Sequence, residues 1–215
     1  MTNDLWPRLE AQLRVHAPDL ASRLRPGAKE AAVAAYEAET GQRLPDDLRL
    51  SYLRHDGCDY LDKPGQYSSE GLLGWLQWLP LDESLEQWRF WNAMFNEADP
   101  YFYGGEDDST PWSGMRIRPW TSPPPSWLPV GRFLGASPGI YVDTKPGPAG
   151  VAGQLVRADI DRRVEATGWR DYLAELTRGL EQGVLEMYAD KLTERSYWRV
   201  IATGLDYEAP GFCRE

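Results

Sequence analysis

The stretch GQRLPDDLRLSYLRHDG, residues 41–57, sets two helix boundaries within a short span. Gly41 closes an alanine-rich run and suits the left-handed position just past a helix end. Pro45 suits the first helical position of the next helix, where its missing N–H would be unpaired anyway. Asp46 and Asp47 then put negative charge at the positive end of the helix dipole. Leu48, Tyr52 and Leu53 supply the buried side, and Gly57 reads as the stop.

Upstream, PGAKEAAVAAYEAET reads as the first helix of this pair, preceded by a helix over residues 4–16 with Leu5, Leu9 and Leu13 on one stripe. Pro18 and Pro26 frame a short connection between them. Downstream, GLLGWLQWLPL, residues 71–81, is a short apolar run that predicts a strand. Asp82 follows as an N-cap, with Leu85, Trp88, Trp91 or Asn92, and Phe95 at helical spacing. Residues 97–126, with Gly-Gly, an acidic triplet and SPPPS, read as a long insertion loop, uncommon inside a compact domain unless it has a function. WLPVGRF, GIYVD and GQLVRADI predict three β-segments, and the prolines and glycines of KPGPAGVAG keep the last two apart. Residues 168–182 return to helical spacing through Trp169, Tyr172, Leu173, Leu176 and Leu180. The C-terminal extension, 183–215, predicts an edge strand followed by a helix. Helices first, strands in the middle and a helix late predict an α+β fold over a single domain, residues 1–215, without alternating βαβ units.

Composition narrows the function classes. The chain has 215 residues, 42% of them hydrophobic, with ten Trp and eleven Tyr, enough to bury a core without a metal or disulfide. Cys58 and Cys213 form no CxxC pair, and neither a disulfide framework nor a zinc site is expected from them. The opening MTNDLWPRLE lacks the apolar run of a secretory signal, and no window approaches a membrane helix, so a soluble, cytoplasmic protein is expected. A net charge of −10 and a pI near 4.8 disfavour nucleic acid and favour a basic protein partner.

Catalytic motifs fail their context tests. GASPG, residues 135–139, matches G-x-S-x-G around Ser137, but a β-segment follows, Pro138 is adjacent, and no histidine comes later in the chain. His16 and His55 both stand at helix ends, where a cation suits the dipole and the ring is usually solvated. HExxH, GxxxxGK[ST] and GxGxxG are missing, which leaves metal, nucleotide and other cofactor chemistry without its minimum parts. The neighbouring carboxylates of Glu106, Asp107 and Asp108 are too few and wrongly spaced for a calcium loop. With Tyr101, Tyr103, Trp112 and Trp120 around them they make either a solvated loop, a patch suited to a basic protein, or the carboxylate-and-aromatic composition of a glycan site.

The ordered pieces resemble the SUKH superfamily, the Smi/Knr-type domain. The helix pair carries the likeness through Gly41, Leu44, Pro45, Leu53 and Gly57; WLPVGRF carries it through Trp127 and Pro129. GIYVDTKPGPAGVAGQLV resembles the following hairpin through Tyr141, Asp143, Pro146, Gly153, Gln154 and Val156, and ATGWRDYLAELTRGL resembles the closing helix, with Trp169 where the family usually has Phe. Together these pieces span about residues 26–182. Two departures stand out: residues 97–126 are longer and more aromatic than the family pattern, and Arg157-Ala158-Asp159 replaces a frequent histidine-aspartate pair.

The resemblance implies an antiparallel sheet of about five or six strands covered by helices, and no catalysis. Many bacterial members resemble immunity proteins that neutralise a cognate toxin by occlusion, and fungal relatives act as cell-wall and signalling regulators. The leading expectation is an immunity protein; a regulatory scaffold is the alternative and a glycan-binding or glycan-hydrolysing protein a remote one. Expected partner contacts are charge from Glu106, Asp107 and Asp108, anchors from Tyr101, Tyr103 and Trp112, and Asp143, which also reads as a turn cap.

Overall fold

Trp78 holds the centre of the aromatic core. Its ring lies 5.6 Å from Trp6, 5.3 Å from Tyr52 and 5.1 Å from Trp169, measured between ring centroids. These four residues come from a strand and three helices, so large apolar area and offset ring contacts join parts of the chain far apart in sequence. The computed structural model describes residues 5–59, 72, 77–95, 116–117, 123–132, 139–158, 163–190 and 195–200.

Strands β1 (Gln77–Trp78), β2 (Trp127–Arg132), β3 (Ile140–Asp143), β4 (Gln154–Arg157) and β5 (Arg163–Ala166) form one five-stranded sheet in chain order. Every pairing is antiparallel. The expected α+β architecture is therefore present. β5 adds a strand that the sequence reading did not contain: RVEA has a weak β pattern and is held by pairing with β4.

Alternation sorts the side chains of β2–β4 onto two faces. Leu128, Val130, Ile140, Val142 and Leu155 join the main core. Trp127, Tyr141, Val156 and Ala158 form a second buried cluster on the other face. Helices α1 (Leu5–His16), α2 (Pro18–Ser22), α3 (Glu30–Thr40), α4 (Asp46–Arg54), α5 (Leu81–Met94) and α6 (Trp169–Glu181) supply buried residues to the main core. α2 fills what was expected to be a plain connection: Pro18 opens it with a fixed φ and no N–H to leave unpaired.

Three boundaries differ from their sequence reading. α4 ends at Arg54 with His55 as an extended C-cap, so Gly57 is not its stop. Gly57 instead has φ +72°, and a Cβ there would lie 2.5 Å from the Pro80 nitrogen, where two backbones pass. α5 begins at Leu81, and its first-turn N–H is capped across space: Asp56 Oδ1 accepts from Leu81 N at 2.9 Å, while Asp82 Oδ1 accepts from the neighbouring Glu83 N at 3.0 Å. Finally, the C-terminal extension continues from β6 (Leu185–Asp190) into a second strand, β7 (Arg195–Val200), and the rest of the tail, 201–215, where a helix could follow, lies outside the described residues. Residues 195–200 pair antiparallel with β6, with Met187 opposite Trp198 and Leu185 opposite Val200.

Asp47 performs a second long-range cap. Its Oδ2 accepts from Arg170 N at 2.8 Å, in the first turn of α6, while Oδ1 accepts from Leu48 N at 2.9 Å. The paired acids of residues 46–47 thus do more than complement their own helix dipole: one carboxylate fixes the start of α6 against α4. Among the described residues no helix is long and apolar enough to cross a membrane.

Candidate functional site

Of the expected contact residues, Tyr101, Tyr103, Glu106, Asp107, Asp108 and Trp112 lie outside the described residues. Asp143 is described, and it is fully buried at the end of β3. Its Oδ1 accepts from Lys145 N at 3.0 Å, its Oδ2 from Gln154 Nε2 at 3.3 Å, and its carbonyl from Gly153 N at 2.7 Å. The same Gln154 amide donates to the Arg116 carbonyl at 2.8 Å, and Gln154 Oε1 accepts from Val151 N at 3.2 Å. Asp143 therefore organises the β3–β4 turn from inside, as an aspartate does when it bonds backbone two residues on.

The surface that leads into residues 97–126 is α5, and its inner side is pinned to the fold. Ser84, with no solvent exposure, donates to the Pro129 carbonyl at 2.5 Å and so accepts the Tyr36 hydroxyl at 2.9 Å. Burial pushes the Tyr36 hydroxyl far above the ordinary phenol range, and the bond to Ser84 lowers it only in part. Trp88 Nε1 donates to the Pro125 carbonyl at 2.9 Å, and Trp91 packs on the second cluster of the sheet. Arg89 donates Nε and an Nη to the two oxygens of Glu39 on α3, at 2.5 and 2.8 Å. That fork keeps the exposed Glu39 carboxyl below its ordinary value.

The outer side of α5 carries what the sequence reading missed. Phe90 is 58% and Met94 63% exposed. Both fall off the buried stripe of Leu81, Ser84 and Trp88, and that displacement from the stripe was the available signal. The acids Asp82 and Glu86 precede them on the same side, both exposed. Glu83, half-buried, is pushed above the ordinary carboxylate range by burial, which the Arg132 charge opposes. The outer side of α5 thus runs from an acidic end to an apolar end.

A second polar node fixes α1. Glu10, almost buried, accepts from Arg54 Nε at 2.9 Å, from the His55 ring at 3.0 Å and from Arg14 at 3.2 Å. Burial acts to raise the Glu10 carboxyl, but the bonds from His55 and Arg54, with their charge, hold it below its ordinary value. His55 also meets the Arg25 carbonyl at 3.0 Å, and its ring lies tilted against Trp6 with centroids 5.0 Å apart, so it is structural rather than solvated. Among the described residues no group of three or more His, Cys, Asp or Glu could hold a metal ion.

Comparison with known proteins matches residues 27–175 to the SMI1 / KNR4 family (SUKH-1). A fission-yeast protein, the "Cell wall biosynthesis/cell cycle regulator smi1" of Schizosaccharomyces pombe, is 28% identical over 194 residues, covering 84% of this chain and 36% of its own length. The "Glucan synthesis regulatory protein" of Neurospora crassa is 24% identical over 208 residues, covering 83% of this chain and 38% of its own. Human "F-box only protein 3" is 39% identical over 67 residues, 31% of this chain and 14% of its own. The chain thus spans little more than a third of the fungal relatives it matches. The match covers well over half of the 215 residues, and the helix pair, antiparallel sheet and closing helix agree with it: the chain belongs to the SMI1 / KNR4 family (SUKH-1).

Proposed function

We propose that this chain is a non-catalytic protein-binding domain that acts in regulation, in the manner suggested by relatives named as cell-wall and glucan-synthesis regulators. Family membership carries the reading, and the pinned helix α5 with its acidic and apolar outer side supports it. The partner is a basic protein, because a net charge of −10 steers such a partner inward and repels polyanions. Residues 97–126, which follow α5 in sequence, extend the contact through Tyr101, Tyr103 and Trp112 as anchors and Glu106, Asp107 and Asp108 as charge. Asp143 contributes by holding its turn in shape and not by touching the partner.

The test is chemical cross-linking in the native cell, followed by reconstitution of the captured pair from purified proteins and titration calorimetry across salt concentrations. A binary complex that weakens steadily with salt is expected. A purified chain that turns over a small compound, or captured proteins that never form a binary complex, would overturn the reading. Toxin neutralisation is the second reading, favoured by the same acidity; co-expression with a captured toxin would rescue growth if it holds.

A further inference from the structure

Resting on that reading, we propose that the outer ridge of α5 is the docking surface for a cationic amphipathic segment of the partner protein. Asp82, Glu86, Phe90 and Met94 recur four residues apart, so they form one slowly winding row along the helix. Asp82 and Glu86 are exposed, and Phe90 and Met94 are 58% and 63% exposed. A single exposed apolar side chain is ordinary on a protein surface; two in one row, running on from two carboxylates, form a graded ridge. Dipole complementarity accounts for Asp82 in the first turn but not for Glu86 in the second, nor for the apolar end.

Among the described residues, three cations close to this row are already engaged. Arg89 is forked onto Glu39, Arg132 pairs with Glu83 at 3.1 Å, and Arg25 stands between Asp59 and Asp82 at 3.7 and 3.8 Å. Glu86 shares the charge of Arg89 one turn on, but the hydrogen bonds of Arg89 go to Glu39, and Glu86 stays exposed to a partner. A complementary segment presents a lysine or arginine about 5–6 Å, one helical turn, from an apolar pocket that accepts Phe90 and Met94. Nucleic acid and anionic membrane are repelled by the same carboxylates. The Ser84, Trp88 and Asp56 contacts hold the helix still, so little ordering is needed on binding.

The probe is a 14-residue Lys/Leu peptide of amphipathic helical pattern, with a Glu/Leu peptide as control, titrated into the full chain while the Met94 methyl is followed by NMR. The Lys/Leu peptide is expected to shift Met94 and the Glu/Leu peptide to leave it still. Phe90→Ser with Met94→Ser keeps the net charge of the chain and is expected to weaken binding about 30-fold, read by fluorescence anisotropy of labelled peptide. Glu86→Lys is expected to weaken it about fivefold. Both variants change exposed side chains, and an unchanged thermal midpoint verifies the fold. An unmoved Met94, equal binding of the two peptides, equal binding by the double variant, or Met94 shifts on phosphatidylserine vesicles would each overturn the ridge. A partner captured in the cell and still bound by the double variant also overturns the ridge while leaving the protein-binding reading intact. Peptide binding at Met94 without any cellular partner supports the ridge chemistry and removes the regulatory reading instead.

Discussion

Alanine at Gly57 and alanine at Gly41 separate two costs that a glycine can avoid. Both residues have positive φ, +72° and +63°. Alanine in the left-handed region costs about 1–2 kcal/mol, partly offset by about 0.4–1 kcal/mol because alanine restricts the unfolded chain. Nothing lies within 4 Å of a Cβ built at Gly41, so Gly41→Ala pays only this backbone term. A Cβ at Gly57 meets the Pro80 nitrogen at 2.5 Å and the Leu79 carbonyl carbon at 2.7 Å, both rigid backbone atoms. Relief requires moving the segment that leads into α5, against the Asp56 cap and the Cys58 N to Trp78 O bond. Overpacking of this kind adds about 1–3 kcal/mol. Urea unfolding at neutral pH measures the difference. With a slope of about 2 kcal/mol per molar, Gly41→Ala should lower the midpoint by about 0.5 M and Gly57→Ala by about 1–2 M. Equal losses would refute the claim that close approach, and not helix termination, fixes glycine at position 57.

Three further outcomes follow from the long-range contacts. Asp47→Ala and Asp56→Ala each leave a helix-start N–H without its acceptor and should cost about 1 kcal/mol in urea unfolding; Asp56→Asn, which keeps an acceptor oxygen, should recover most of the loss. Glu10 is held below its ordinary value in the fold, so its contribution is present above the unfolded value near pH 4.3 and is lost as pH falls through the lower folded value. The stability gap between the native chain and Glu10→Gln should therefore be wide at pH 7 and narrow at pH 3; a gap independent of pH would contradict the assignment. A chain cut to the family-matched residues 27–175 loses Trp6, Leu9, Leu13, Leu20, Leu176 and Leu180, all buried, and should fail to show a cooperative thermal transition by circular dichroism.

Local rules were readable from the sequence wherever cause and effect sit within one turn of chain. Gly41 is such a case: an alanine-rich helix must end, and the observed left-handed C-cap is what glycine permits. The strands WLPVGRF, GIYVD and GQLVRADI were readable for the same reason, being short β-rich runs between turn residues. What stayed hidden depends on residues brought together by folding. Gly57 looked like another helix stop because its real constraint lies over twenty residues downstream, at Leu79 and Pro80. Asp82 looked like the cap of α5 because nothing local reveals that Asp56 reaches Leu81 first. RSYWRV forms β7 because its partner β6 offers a full antiparallel register, which no signal within the segment itself announces. The candidate site divides similarly. Asp143 was legible as a turn cap, whereas the α5 ridge required knowing which side of the helix Trp88 and Ser84 bury.

The position of α1 shows why family limits and physical limits differ here. The match begins at residue 27, yet Leu9 and Leu13 upstream of it have no solvent exposure, and Trp6 both stacks on Trp78 and donates to Ser51 at 2.9 Å. Beyond the other end of the match, Glu181 accepts from Arg8 Nε and one Nη, at 2.9 and 2.6 Å. The exposed Arg8–Glu181 pair is weak as a source of stability, but it marks where the two flanks meet. Their apolar residues carry the energy: each buried Leu or Trp is worth about 1.5–3 kcal/mol, and several together rival a typical total stability of about 5–15 kcal/mol. Glu10 then gives this packing a single register, because its carboxylate finds Arg54 and His55 only when α1 lies at one depth along α4. The stretch at residues 41–57 is thus the hub of the fold: Ser51, Arg54 and His55 hold the N-terminal helix, Asp47 the closing helix, and Asp56 the helix that presents the proposed docking ridge.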